Sequence, residues 1–207
     1  MYKCPRTTMS AVIVDGREIG LEIQDSVRKR VSALVERGIK PHLAVVIAGD
    51  DPASLIYVKN KESSCVNCGI RSTRVDLPGN ASIDDIIEVV RNLNADSEVH
   101  GILVQSPAPE GVDELVIASE IDPLKDVDGF HPSNLGRLVQ GDLSGLLPCT
   151  PAGVIRLLEK TNAKVRGSKA LVIGRSRIVG MPMALMLAQK GVDATVTLAH
   201  SKSTDLA

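Results

Sequence analysis

Tyr57 and Lys61 stand four residues apart in the run Asp51-Pro52-Ala53-Ser54-Leu55-Ile56-Tyr57-Val58-Lys59-Asn60-Lys61. Asp51 is suited to cap a helix and Pro52 to occupy its first position, so the run predicts a helix leaving a tight turn. On a helix that spacing puts the phenol and the amine on one face. A lysine beside a phenol at the mouth of a sheet is a plausible proton carrier if burial tunes it. The competing reading is a solvated helix face, which is the better reading for Lys59. Spacing alone favours that plainer reading for Lys61 too, and the remaining residues raise its standing.

A second chemistry-bearing stretch is Lys169-Ala170-Leu171-Val172-Ile173-Gly174-Arg175-Ser176-Arg177-Ile178-Val179-Gly180-Met181-Pro182. A strand runs into a glycine-bounded turn, followed by a helix from about 180 to 190 and a strand over 193–199. This is the first βαβ unit of a dinucleotide site, with the pyrophosphate expected at the helix N-terminus. Gly174 and Gly180 lie six apart, so the strict G-x-G-x-x-G is not present and the motif alone has modest specificity. The second strand ends in His200-Ser201-Lys202 rather than the acid that holds a ribose hydroxyl, and Arg175 lies in the turn. That cationic, hydroxyl-bearing grouping suits a 2′-phosphate and favours NADP over NAD.

Other candidates are weaker. Cys65 and Cys68 form a C-x-x-C, but no second Cys/His pair stands at metal spacing and both fall inside the Lys61 helix, so they read as structural and no metal is expected. Asp122, Asp126 and Asp128 lie in an irregular segment with Pro and Gly and read first as turn formers. His131, before a proline, is not assigned a catalytic role. Cys149 lacks an identifiable base and is read as structural.

The elements that must position these residues alternate. An apolar run at Val12-Ile13-Val14 predicts a short strand turned by Asp15-Gly16. Ile19, Ile23, Val27, Val31 and Leu34 recur at helical spacing over 17–37, ended by Gly38. Residues 42–49 read as a strand buried on both faces, 70–77 as another, and 99–105 as a third with Gln105 at its C-terminal end. Between the last two, Ser82-x-x-Asp85 opens a helix carrying Ile83, Ile86, Ile87, Val90 and Leu93. Thr150 is expected to cap a further helix that Pro151 starts, with Val154, Ile155, Leu157 and Leu158 as its buried face. Strand–helix alternation predicts parallel strands with ligands beyond their carboxyl ends, where Gln105 and Lys61 would meet.

Composition excludes several classes. A net charge of −1 shows no polyelectrolyte partner, and with two Tyr, one Phe and no Trp there is no base-stacking platform, so nucleic acid is not expected. No apolar run reaches the length of a membrane span and no signal-peptide core opens the chain, so the expected location is the cytoplasm.

Taken together, Tyr57-Val58-x-x-Lys61, Gly101-Ile102-Leu103-Val104-Gln105, Lys125-Asp126-Val127-Asp128-Gly129, Pro148-Cys149-Thr150-Pro151 and Gly174-Arg175-Ser176-x-x-Val179-Gly180-x-Pro182 resemble the methylenetetrahydrofolate dehydrogenase/cyclohydrolase family, in family order across nearly the whole chain. The resemblance implies a two-domain α/β enzyme of one-carbon metabolism. A three-layer α/β folate-binding domain over 1–147 would be followed by a Rossmann-like NADP-binding domain over 148–207, present only as its first βαβ. Lys61 would be the acid/base group held by Gln105, Tyr57 would line the pterin and aminobenzoyl pocket, and Asp128 would hydrogen-bond the pterin. Gly174, Arg175, Ser176, Val179, Gly180 and Ser201 would form the NADP site. A homodimer is implied by the resemblance alone.

Two departures stand out. The family commonly has Leu-Pro-Leu-Pro where this chain has Ser106-Pro107-Ala108-Pro109, and it commonly continues past the position of Ala207 through a Val-Ile-Asp-Val-Gly strand and a glycine-rich segment. The expectation is therefore a C-terminally truncated form with a poorly stable cofactor half. Two alternatives remain beside the bifunctional enzyme. One is a catalytically impaired folate- or nucleotide-binding remnant. The other is a different two-domain dehydrogenase acting on a shikimate- or amino-acid-like substrate, against which Tyr57-x-x-x-Lys61 and Lys-Asp-Val-Asp-Gly argue.

Overall fold

The structure is a computed structural model and describes residues 13–204. Helix α1 (Gly16–Glu36) leads into β1 (His42–Ala48), α2 (Pro52–Cys68), β2 (Arg71–Leu77), α3 (Ile83–Ala95) and β3 (Gly101–Val104). The three strands form one parallel sheet in the order β2-β1-β3, with β1 central. Short helices α4 (Glu114–Glu120) and α5 (Pro132–Gln140) follow. Then come α6 (Cys149–Lys160), β4 (Lys169–Ile173), α7 (Gly180–Ala188) and β5 (Thr195–Ala199), whose strands pair in parallel as a second sheet.

Strand β1 is buried on both faces, as its unbroken apolar sequence requires. On one face Ala44 and Ile102 pack with Ile86 and Val90 of α3 and Ile117 of α4. On the other, Val45, Ile47 and Leu103 pack with Val58 of α2. A separate core sets Met183, Met186 and Leu187 of α7 against Leu138 of α5, with α6 and alternate residues of β4 and β5 around them. Gln189 Nε2 donates to the Leu138 carbonyl at 2.6 Å, and Lys160 pairs with Glu22, tying α7 to α5 and α6 to α1.

Caps set the helix starts. Asp51 accepts from Ser54 N at 2.8 Å with Pro52 in the first turn, and Gly69 closes α2 at φ 75°. Ser82 and Asp85 form a reciprocal capping box on α3.

Several boundaries differ from the sequence expectation. Of the strand expected at Val12-Ile13-Val14, Val12 lies outside the described residues. Ile13 and Val14 are irregular, with Ile13 92% exposed. Asp15 makes no turn with Gly16; its carboxylate accepts from Arg17 N and Glu18 N and caps α1 instead. The apolar stripe of α1 is only partly covered, with Val31 buried and Ile23 exposed, because α1 lies over α2 rather than on the sheet. Helix α6 starts at Cys149, after Pro148, so Thr150 is not its cap. Pro151 sits in the first turn, where its missing N–H costs nothing. Val154 faces outward instead of into the core. Strand β3 ends at Val104, and Gln105 is the next residue, its N–H donating to the Val46 carbonyl at 2.8 Å.

Candidate active site

Lys61 Nζ donates to Gln105 Oε1 at 2.9 Å, joining α2 to the end of β3 across 44 residues of sequence. An ammonium has only donors, so the amide must present its oxygen to Lys61, which leaves Nε2 to donate to the Ser106 carbonyl at 2.6 Å. Lys61 opens on a cleft of about 600 Å³ whose walls include Tyr57, Asn60, Leu43, Leu103, Val127, Asp128 and Cys149. Tyr57 is 62% exposed at its rim. The cleft does not stop at the carboxyl ends of the strands. Pro41, His42, Ile70 and His100, at their amino ends, line it too. The reason is α2: it runs back along the sheet, and ten residues of helix carry Lys61 roughly 15 Å from Asp51.

Asp128 is presented by a loop that Asp126 organises. The Asp126 carboxylate, 1% exposed, accepts from Gly129 N at 3.1 Å, His131 N at 2.8 Å and Asn134 Nδ2 at 2.9 Å. Gly129, at φ 71°, packs so tightly that a Cβ there would stand 2.4 Å from the Leu147 carbonyl carbon. Burial pushes the Asp128 carboxyl above the usual carboxylate range; the Lys61 charge opposes this and Asp126 adds to it. Cys149 Sγ donates to the Val127 carbonyl at 3.0 Å. Burial of the sulfur and then the Asp128 carboxylate push its thiol up to about 11.

The expectation that the loop acidic residues are turn formers holds for Asp122, which accepts from Leu124 N at 2.8 Å, and for Asp126. Asp128 faces the cleft. Cys149, read from sequence as structural, lines the cleft as well, and only its prolyl neighbours hinted at a fixed position. His131 caps α5, its Nδ1 accepting from Ser133 N at 3.0 Å. Cys65 and Cys68 are buried, and Cys68 Sγ donates to the Gln24 carbonyl at 3.7 Å. Among the described residues no three His, Cys, Asp or Glu side chains converge as metal ligands would.

The second sheet ends in a built turn. Gly174, at φ 116°, leaves β4, and Gly180 opens α7 against it: a Cβ on Gly180 would lie 2.1 Å from the Gly174 oxygen. Ser176 Oγ accepts from Val179 N at 3.2 Å and Gly180 N at 3.3 Å, so its hydroxyl proton is free to point outward. Gly174 N donates to the Ala199 carbonyl at 2.7 Å, which sets Arg175 and Ser201 at the same sheet edge. Both are exposed, and no hydrogen bond joins them among the described residues. This cradle fits a dinucleotide: backbone close enough for a pyrophosphate, a helix start behind it, and a cation for a 2′-phosphate. Ile178 from the same turn meets Gln105, Ser106, Asp128 and Phe130 around a smaller pocket, so the turn adjoins the Lys61 cleft.

Parallel α/β sheets with an amine-lined cleft beside a dinucleotide cradle define a class, the two-domain α/β oxidoreductases. Within that class the match to known proteins is specific. Residues 14–128 match the catalytic domain of tetrahydrofolate dehydrogenase/cyclohydrolase, and residues 148–207 match the NAD(P)-binding domain of the same family. The chain belongs to that family. It is 45% identical over 199 residues to the bifunctional protein FolD of Chlorobium chlorochromatii, covering 94% of this chain and 68% of that protein. The crystal structure of the bifunctional enzyme FolD from Campylobacter jejuni superposes with a TM-score of 0.91 at 42% identity, over 94% of this chain and 68% of that one. The Trypanosoma brucei enzyme, solved with NADP cofactor and an inhibitor, superposes at 0.88 with 35% identity, over 94% and 66%.

Proposed function

We infer that the protein oxidises 5,10-methylenetetrahydrofolate to the 5,10-methenyl form with NADP⁺ and hydrolyses the product to 10-formyltetrahydrofolate. The observation that carries this reading is the Lys61–Gln105 hydrogen bond, with Asp128 lining both the Lys61 cleft and the adjoining pocket where Gln105 meets Ile178 of the dinucleotide turn. Bound NADP⁺ supplies the hydride acceptor. The chain's own residues bind and orient. Asp128 hydrogen-bonds the pterin, Tyr57 covers its aminobenzoyl neighbour, and the apolar wall of Leu43, Leu103 and Val127 strips water from the rings.

In the hydrolytic step water adds to the methenyl carbon, the bond from that carbon to N5 breaks, and one proton is released. In its deprotonated form the Lys61 amine, which can still donate an N–H to Gln105 Oε1, would take the proton from water, with Gln105 holding it in position. Gly174, Arg175, Ser176, Val179, Gly180 and Ser201 hold the cofactor, with Arg175 on the 2′-phosphate. We divide the chain at 147/148 into folate-binding and cofactor-binding domains, and assign the protein to the cytoplasm as a homodimer on its family resemblance. No described helix is long and apolar enough to cross a membrane. The non-catalytic remnant is not favoured, because the catalytic pair is assembled.

The test is a spectrophotometric assay of this chain with 5,10-methylenetetrahydrofolate, NADP⁺ against NAD⁺, with methenyl hydrolysis followed in parallel. Turnover preferring NADP⁺, and loss of hydrolysis in Lys61→Met with an unchanged circular dichroism spectrum, are expected. A folded Lys61→Met variant at full hydrolytic rate would remove Lys61 from the mechanism.

A further inference from the structure

Three hydrogen bonds link the surface of α4 to Lys61 through Ser106 and Gln105, and a fourth branches from the same Glu114 oxygen. Glu114 Oε1 accepts from Ser106 Oγ at 2.7 Å and from Ala108 N at 2.8 Å. The Ser106 carbonyl accepts from Gln105 Nε2 at 2.6 Å, and Gln105 Oε1 accepts from Lys61 Nζ at 2.9 Å. Glu114 therefore grips the turn after β3 on both sides of Pro107. That turn carries the one acceptor that fixes which way the Gln105 amide faces.

The orientation matters because the two ends of an amide are chemically opposite. Rotated by half a turn, Gln105 would set its NH₂ against the Lys61 ammonium, donor against donor, and the amine would leave its place. Nothing else on the described side chains holds Gln105 Nε2. We infer that Glu114 is a positioning residue for the reaction, acting through Ser106 and Gln105 on Lys61. The inference rests on the hydrolase reading above.

Both donors meet the same oxygen of Glu114, so substitutions there separate geometry from charge. Glu114→Gln keeps an oxygen there, whereas Glu114→Ala removes the grip and Ser106→Ala removes half of it. Glu114 is exposed, on the outer turn of a short helix, so the fold should survive all three changes. A misplacement of the amine by a fraction of an ångström costs rate rather than binding. The expected loss in kcat for methenyl hydrolysis is about tenfold in Glu114→Ala, with KM within about twofold, an intermediate loss in Ser106→Ala, and recovery of most of the rate in Glu114→Gln.

The second readout does not depend on activity: ¹⁵N-glutamine-labelled protein, with the Gln105 side-chain NH₂ signals assigned by their disappearance in Gln105→Glu. Those signals should shift and exchange faster with water in Glu114→Ala and stay in place in Glu114→Gln. Unmoved Gln105 signals in a folded Glu114→Ala variant, or equal losses of kcat in the Ala and Gln variants, would overturn the inference. If the unmodified chain hydrolyses no methenyl substrate while the Gln105 signals move as expected, the hydrolase reading fails and the positioning contact stands.

Discussion

Asp128 and Cys149 line the same cleft, and the Asp128 carboxylate opposes ionisation of the Cys149 thiol, which makes their titration measurable. The raised Asp128 carboxyl binds its proton more tightly folded than unfolded. Stability should then fall as pH rises from the unfolded value near 3.8 through the higher folded value, because over that window folding buries a charge the free chain would expose to water. Asp128→Asn should flatten this slope in a series of urea midpoints against pH; an unchanged slope would place the effect elsewhere. The same substitution removes a charge that raises the Cys149 thiol, so alkylation by iodoacetamide at pH 8 should be slow in the parent and several-fold faster in Asp128→Asn.

Much of this residue-scale site was legible in the sequence. Tyr57 and Lys61 share a face because helical spacing demands it, and Gln105 follows from reading β3 to its end. Cys149 was not legible. Its placement depends on Gly129 packing against the Leu147 backbone, a contact between loops that no periodicity announces. Asp126 was legible as a turn former, but its longer reach to His131 N and Asn134 Nδ2 was not.

At the scale of the element, the turn between β4 and α7 shows why a glycine pattern that misses the standard spacing still builds a cradle. What the turn needs is a left-handed residue at Gly174 and no Cβ at Gly180, where the chain passes 2.1 Å from where that atom would be. The four residues between Arg175 and Gly180 are held by Ser176 Oγ and need no third glycine. Gly180→Ala must therefore open the turn. We expect a loss of about 1–3 kcal/mol of stability, as for other overpacked sites, and at least a tenfold rise in the NADP dissociation constant by calorimetry. Methenyl hydrolysis, which we assign to Lys61 on the other sheet, should remain within about twofold. Unaltered NADP affinity would show that the pyrophosphate does not approach this backbone. Helix starts were read less well than turns. Proline fits any position of a first turn, so Pro151 fixed the neighbourhood of the α6 start and not its residue.

Across the whole molecule the two sheets differ in how they are covered. Strand β1 is sandwiched, while β4 and β5 pack one face on α6 and α7 and leave the other to solvent, with Leu171 59% and Ile173 69% exposed. Ala-Leu-Val-Ile carries no alternation, so the sequence gives β4 no face, and only the packing shows that Ala170 and Val172 reach the core. Side chains already in water contribute little to folding, so exchanging them for β-branched polar residues should preserve the strand. Leu171→Thr with Ile173→Thr is expected to change the unfolding free energy by no more than about 0.5 kcal/mol per site. It should also lower the binding of the hydrophobic dye ANS and raise the concentration at which the protein stays monodisperse in light scattering, because a contiguous apolar face drives self-association. A fall in stability well beyond that range would mean that Leu171 and Ile173 are covered in solution, and the second sheet would then be a two-sided one like the first.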